Sequence, residues 1–397
     1  MCIRDRLLAL LIWVFYLCND SKSTSTIPLY MYRHEKKYSD AIKWLDSLNQ
    51  NKIVPGLERI TKLMDLLENP QRKLKLIIIG GTNAKGSTCF NLNHNLTRNG
   101  LRIGCFTSPH IHSVRERIRI GEEIISIEEF TDVLYLLRDI VNKNKIGATY
   151  FEILTAAAYH YFHLKNVDYA IMEVGLGGEW DAVNIGDADI AILTTLGIDH
   201  VNYLGSELKE IGVTKAKIVR KNSIVITGWD KKYHKYIPKC RSLIHRDYVE
   251  KWVEETMNII GIKQPVASIK IPGRYEKMDE FILDTAHNTQ AMQYLMSQNK
   301  EYDKIIIGMM KDKDIENIIA CLPKKCEILA CNLETERSAS SNELATVCQK
   351  LGYECKKFNN VKQAMEYSMN HKTLITGSFY TVSEARKFLK LEGHSEV

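Results

Sequence analysis

The sequence predicts an α/β protein of two domains, each built on a mostly parallel sheet. Three observations carry this reading. Short runs rich in Ile, Val and Leu alternate with helical patterns along most of the chain, which is the signature of βαβ units. The runs end at glycines or polar turn residues. The chain has 397 residues, 45% hydrophobic and 26% charged, more than one ordinary core needs and close to the average of a globular protein.

The elements follow in order. From residue 40 the pattern alternates helix and strand. Leu74–Ile79 is a buried strand running into Gly80-Gly81, Ser87–Arg98 is a helix stopped by Asn99-Gly100, and Arg102–Phe106 is the next strand. Phe151–Leu164 reads as a helix and Val167–Val174 as a strand closing at Gly175. Ile190–Thr195 and Ser223–Thr227 are further strands around a helix at Leu208–Arg220. The alternation weakens between Gly228 and Pro272, a basic, mixed stretch expected to lie between domains. It resumes with strands at Phe281–Asp284, Lys304–Gly308, Cys326–Cys331 and Thr373–Thr376. Helices are expected near 288–298, 312–321, 341–351, 361–369 and 380–390. The boundaries expected are 31–228 for the first domain, 229–271 for a short inter-domain region and 272–397 for the second. No internal repeat is visible.

Composition excludes several classes. The net charge is 54 − 48 = +6, with no dense Lys/Arg stripe, so no nucleic-acid partner is expected. Ten cysteines are scattered without a C-x-x-C pair, and the even spacing of Cys321, Cys326 and Cys331 is wrong for a zinc knuckle. Reduced thiols and a cytoplasmic setting are expected. Leu7–Cys18 is an apolar run too short to span a bilayer, behind Arg4 and Arg6 and without a convincing cleavage site. Residues 1–30 are read as a doubtful leader or misassigned start, with Met31 as the true beginning and no membrane partner.

The segment Gly80-Gly81-Thr82-Asn83-Ala84-Lys85-Gly86-Ser87-Thr88 joins a strand to a helix, where free backbone N–H groups and the helix dipole favour phosphate. Lys85 would neutralise phosphate charge, and Ser87 or Thr88 could offer a hydroxyl to Mg²⁺. The general G-x-x-x-x-G-K-[ST] pattern fails, because Ala84 precedes the lysine and Gly86 follows it. Three other strand ends carry chemistry: Thr107-Ser108-Pro109-His110, Glu173-Val174-Gly175-Leu176-Gly177-Gly178 and Gly197-Ile198-Asp199-His200. Ligands of open α/β sheets bind at these carboxyl ends. A hydroxyl, a carboxylate and an imidazole from Ser108, Glu173 and His200 beside phosphate oxygens make a credible Mg²⁺ set.

These segments, with TSPHIHSVRERIRI, TYFEILTAAA, MEVGLGGEWDAVN, TTLGIDHVNYLG, PGRYE, DTAHN and TGSFY, resemble the folylpolyglutamate synthase/dihydrofolate synthase family of the Mur ligase superfamily, from about Lys37 to Arg386. The resemblance implies a P-loop-containing central domain, a smaller Rossmann-like C-terminal domain and an ATP- and Mg²⁺-dependent ligase. ATP would phosphorylate a substrate carboxylate, and the amino group of L-glutamate would attack the acyl phosphate. Dihydropteroate and reduced folates are the implied acids, and a monomer is implied.

The resemblance also assigns residues. Asn83, Ala84, Lys85, Gly86, Ser87 and Thr88 would hold ATP, with Arg274 and Asp284 from the second domain. Ser87, Ser108, Glu173 and His200 would hold the metal. Lys215 matches a lysine carbamylated by CO₂, and a K⁺ ion is a further implied cofactor. His287 and Ser378 match glutamate-binding positions. Glu58 and Arg59, Thr149, Tyr150, Phe151 and Glu152, and Trp180, Asp181 and Ala182 match substrate-binding stretches. The catalytic set would be Lys85, Glu173, His200, Lys215 and His287.

Several positions depart from the family pattern. Ala84 stands where the family has glycine, at a strain cost of about 1–2 kcal/mol if φ is positive. Glu179-Trp180 replaces Arg-Leu, Lys217 replaces a glycine, and Thr285 replaces another. No adenine-contacting segment is matched in the short inter-domain region; His245-Arg246 is the nearest fragment. Two alternatives stay open at this point: a related ligase acting on another carboxylate, and an ATP-binding remnant without turnover.

Overall fold

The computed structural model describes residues 37–48, 54–298 and 301–391. The leader expectation for residues 1–30 lies outside them. The first sheet has eight strands in the order β4-β3-β2-β5-β1-β6-β7-β8. They are β1 Leu76–Gly80, β2 Ile103–Phe106, β3 Ile118–Ile120, β4 Glu123–Ile124, β5 Tyr169–Glu173, β6 Ile190–Leu193, β7 Ile224–Thr227 and β8 Ser242–His245. From β2 to β8 all neighbours are parallel, while β3 and β4 add an antiparallel edge hairpin.

Strand β1 shows why the sheet forms here. Its residues are fully buried and alternate between two cores. Leu76 and Ile78 face one, which holds α1 (Tyr38–Ser47), α2 (Glu58–Leu66), α4 (Ile127–Asn144) and α5 (Tyr150–Leu164). Ile77 and Ile79 face the other, packed by α3 (Lys85–Arg98) and α8 (Val249–Ile260). Helices on both faces make continuous apolar strands the stable choice. Two short helices, α6 (Val201–Leu204) and α7 (Leu208–Ala216), follow β6.

The second sheet has six strands in the order β13-β12-β11-β14-β10-β9. They are β9 Glu276–Met278, β10 Phe281–Leu283, β11 Lys304–Ile307, β12 Glu327–Cys331, β13 Cys355–Phe358 and β14 Thr373–Thr376. Only the β9–β10 pair is antiparallel. Helices α9 (Thr289–Gln298), α10 (Ile315–Ala320), α11 (Ser341–Lys350), α12 (Val361–Ser368) and α13 (Phe379–Phe388) complete two further cores.

The nine strands expected from the sequence lie within two residues of those observed at either end. Three expectations are corrected. Residues 229–271 do not serve only as a connector: β8 pairs in parallel with β7, and Trp252, Val253 and Met257 of α8 are buried against the sheet. The helix expected to Arg220 stops at Ala216, because Val219 N–H turns back to the Ala216 carbonyl and Arg220 Nη1 donates to the Lys217 carbonyl at 2.7 Å. The helix expected over 312–321 begins only at Ile315, where the Asp314 carboxylate accepts from Asn317 N–H. Cys326 and Cys331 are buried free thiols, and Cys321 is a half-buried one. Among the described residues no helix is long and apolar enough to cross a membrane.

Candidate active site

The site begins at the turn between β1 and α3. Gly81 has φ +141°, and a Cβ there would lie 1.9 Å from Thr194 Oγ1, so only glycine fits. The end of β6 fixes the rest of the turn. Asn83 N–H donates to Thr195 Oγ1 at 2.9 Å, and the Thr194 hydroxyl donates to the Asn83 carbonyl at 2.7 Å. Ala84 sits at φ +64°, ψ 6°, a left-handed conformation that glycine would take freely and alanine takes at a cost. Lys85 Nζ donates to the carbonyls of Gly81 at 3.1 Å and Thr82 at 3.3 Å, and Lys215 Nζ reaches the same Gly81 carbonyl at 3.0 Å. Two ammonium groups therefore converge on one loop. Burial, then the Lys85 charge, brings the Lys215 amine down to about 7.

A cavity of about 320 Å³ opens above this loop, between the carboxyl ends of the first sheet and the loops of the second. Asn83, Ala84, Lys85, Gly86, Ser108, Glu173, His200, Arg274 and His287 line it, nine of the thirteen residues expected from the sequence for catalysis, ATP and metal. Glu173 is 3% exposed, and its Oε2 accepts from Ser108 N–H at 2.9 Å. Burial pushes this carboxyl up, against Lys85, the Ser108 amide, Arg274 and Arg117, which all favour its charge. His200 is held neutral, near 4, by burial. His287 also falls to about 4 by burial, and its Nδ1 donates to the Thr285 carbonyl at 2.9 Å, leaving Nε2 as an acceptor.

A buried carboxylate with a neutral imidazole and a hydroxyl on the same wall fits Mg²⁺ that arrives with phosphate oxygens and keeps water. Among the described residues no three of His, Cys, Asp and Glu group closely enough to cage a cation alone. The donor set suits a metal shared with its substrate.

Other expected residues stand elsewhere. The Thr88 hydroxyl donates to the Ala84 carbonyl at 2.7 Å, so it is spent inside the helix, and Ser87 does not line the cavity. The Asp284 carboxylate accepts from Tyr275 N–H and Ala286 N–H, both at 2.8 Å; burial, opposed by Arg274, raises its carboxyl. It holds its own loop and is off the cavity wall. Ser378 is 3% exposed and caps α13, its Oγ accepting from Thr381 N–H at 3.1 Å. Arg274 bonds to Thr285 Oγ1 and lies 5.0 Å above the Phe379 ring.

Sequence reasoning passed over three residues of the cavity region. Asp199 accepts from Lys313 Nζ at 2.8 Å and from Asn288 Nδ2 at 3.1 Å, joining the two sheets. Burial works against its charge, but His200, Lys313 and His287 hold the carboxyl well below the usual range. Asn288 also donates to Asn83 Oδ1 at 2.9 Å. Asp199 and Asn288 lay inside quoted motifs, so a signal existed; Lys313, in a lysine-rich turn, gave none.

A second cavity adjoins the first through Phe151 and Gly175, which line both. Thr149, Glu152, Trp180, Asp181 and Ala182 are among the other residues of its walls. Arg59 approaches from α2: its Nη2 is 3.1 Å from Glu152 Oε1, and Glu152 Oε2 accepts from Thr149 N–H at 2.7 Å. Arg59 and Glu152 thus brace the wall. Glu58 is exposed and does not line the cavity, while Tyr150 is 3% exposed beneath the Arg117 guanidinium. Asp181 accepts from Leu176 N–H and Val183 N–H, and burial raises its carboxyl to about 6.

The chain is similar to known proteins along most of its length. The Mur ligase middle domain matches residues 79–323, and the Mur ligase glutamate ligase domain matches residues 273–378. A dihydrofolate synthase/folylpolyglutamate synthase of Buchnera aphidicola subsp. Baizongia pistaciae is 31% identical over 87% of this chain and 94% of its own length. Its Escherichia coli counterpart is 29% identical over 88% and 94%. The structure of E. coli FolC in complex with DHPP and ADP superposes with a TM-score of 0.80 at 26% identity, covering 89% of this chain and 97% of that one. A bifunctional folylpolyglutamate synthase/dihydrofolate synthase with Mn, AMPPNP and L-glutamate bound gives 0.78 at 27% identity, covering 88% and 98%. The chain belongs to the dihydrofolate synthase/folylpolyglutamate synthase family of the Mur ligase superfamily, and it is an ATP-dependent ligase.

Proposed function

We propose that the chain joins L-glutamate to dihydropteroate or a reduced folate in the cavity between the two sheets. The observation that carries this is the convergence of Lys85, Glu173, His200, Arg274 and His287 on one cavity that continues past Phe151 into a second, largely apolar one. The acid would lie in the second cavity with its carboxylate entering the first. ATP would bind along the turn from Asn83 to Gly86, its γ-phosphate beside Lys85.

A carboxylate resists nucleophiles until one oxygen becomes a leaving group. Transfer of the γ-phosphate supplies that group, and attack by glutamate nitrogen expels phosphate. Three anionic partners must meet, and Lys85, Arg117, Arg274 and Lys313 supply the opposing charge. Glu173, Ser108 and His200 would hold Mg²⁺, which when bound neutralises the transferring phosphoryl oxygens. His287, neutral and on the cavity wall, has an Nε2 that would accept a hydrogen bond from the glutamate ammonium and orient it. Lys215, buried beside the loop with its amine brought down to about 7, is closer to the free amine that carbamylation requires than an exposed lysine is.

The experiment is release of ADP from purified protein with Mg-ATP, given each acid in turn, with and without glutamate. Release that needs both an acid and glutamate supports the reading. Release indifferent to either overturns it.

A further inference from the structure

The turn between β1 and α3 is tied at its backbone to β6, in its own domain, but one of its side chains belongs to the other domain. Asn83 Nδ2 donates to Gln290 Oε1 at 2.8 Å and to Asn288 Oδ1 at 3.3 Å, and Asn83 Oδ1 accepts from Asn288 Nδ2 at 2.9 Å. Both amide hydrogens are therefore spent on the second domain. The side chain that the resemblance gives to ATP is committed elsewhere.

Both partners sit at the start of α9. Asn288 is fixed there, because its Oδ1 also accepts from Ala291 N–H at 2.9 Å and caps the helix. Gln290 reaches the turn by crossing Gly197. A Cβ on Gly197 would lie 2.3 Å from Gln290 Oε1 and 3.0 Å from its Cδ. Gly197 is not among the glycines of positive φ, so its backbone conformation does not call for glycine. The room for Gln290 does. Gly197 is also locked to the turn: its N–H donates to Thr82 Oγ1, and the Thr82 hydroxyl bonds the Gly197 carbonyl, both at 3.0 Å. The missing side chain at 197 is a notch cut beside the turn, and Gln290 fills it.

What the notch serves is the peptide next to Asn83. Ala84 is left-handed, a strained conformation that persists only where its surroundings over-determine it. The bonds from Thr194 and Thr195 to Asn83 stay whatever the second domain does. Those from Asn288 and Gln290 exist only when α9 is in place.

We infer that Gln290, acting through Asn83, is a positioning residue for the turn: it sets the turn for phosphate when the second domain is docked, so nucleotide affinity depends on that contact. The inference rests on the nucleotide seat proposed above. A seat that is competent for only part of the time binds its ligand more weakly by that fraction.

The test is calorimetric titration of the full chain with Mg-ADP for wild type, Gln290→Ala, Gly197→Ala and the double variant, with Lys85→Ala as a separate measure of the seat. Gln290→Ala and Gly197→Ala each raise Kd at least fivefold. The double variant stays within twofold of either single, because a methyl at 197 does nothing once the side chain it displaces is gone. A merely structural role makes the two losses multiply. Multiplying losses, or either single variant within twofold of wild type, overturn the role of Gln290 while a loss with Lys85→Ala leaves the seat standing. Unchanged affinity in Lys85→Ala removes the seat and the role of Gln290 with it.

Discussion

Asp199 and Lys313 form a 2.8 Å ion pair across the two sheets, with both side chains less than a tenth exposed. Asp199 follows β6 and Lys313 follows β11, so the pair fixes one lobe against the other directly beside His200 and His287. Removing one partner of a buried pair leaves a charge with no compensation. Asp199→Asn keeps the shape and is expected to cost about 3 kcal/mol of stability. Urea denaturation measures it; a variant as stable as wild type would show that the pair does not hold the lobes.

Ala84→Gly is expected to stabilise the protein. Left-handed alanine costs about 1–2 kcal/mol, and glycine returns about 0.5–1 kcal/mol of that as backbone entropy. A net gain of about 0.5–1 kcal/mol should appear as a higher urea midpoint at unchanged slope. A loss of stability would mean that the observed φ of +64° is not the solution conformation.

Lys215 predicts a pH dependence. Burial and the Lys85 charge lower its amine from 10.5 to about 7 in the folded chain. Between those values the unfolded chain holds a proton that the folded chain has lost, so stability rises with pH, by up to about 1.4 kcal/mol per unit. Below 7 both states are charged and the penalty is constant. Lys215→Met removes the group, so its stability advantage over wild type should shrink from pH 7 to pH 9 in CO₂-free buffer. A difference that does not change with pH contradicts the assignment.

Glu173→Gln should lower turnover at least a thousandfold while leaving the thermal midpoint unchanged or slightly raised, because a buried charge is removed. ADP release and a melting curve on one preparation check both halves. Near-normal turnover would take Glu173 out of the chemistry.

Much of this was legible because single segments carried it. The run Leu76–Gly80 and the turn after it declare a buried strand entering a glycine turn. Strand β13 (Cys355–Phe358), with two lysines on an edge, and β8, exposed along half its length, have no apolar signature and went unseen. The long helix α4 was also missed, although Ser126 caps it through Glu129 N–H. Asp199 was passed over for His200 beside it, since its role exists only once Lys313 arrives from the other sheet. Asp284 and Ser378 show the reverse: motif position marked them, yet their side chains are committed to their own loops.

The central claim is that a terminal phosphate is handed to the carboxylate of the acid before glutamate attacks. Dihydropteroate labelled with ¹⁸O in both carboxylate oxygens tests it directly, by mass analysis of the phosphate released with ATP and glutamate. One ¹⁸O per phosphate, with one retained in the amide, is the predicted result. Unlabelled phosphate formed alongside the amide product would contradict it.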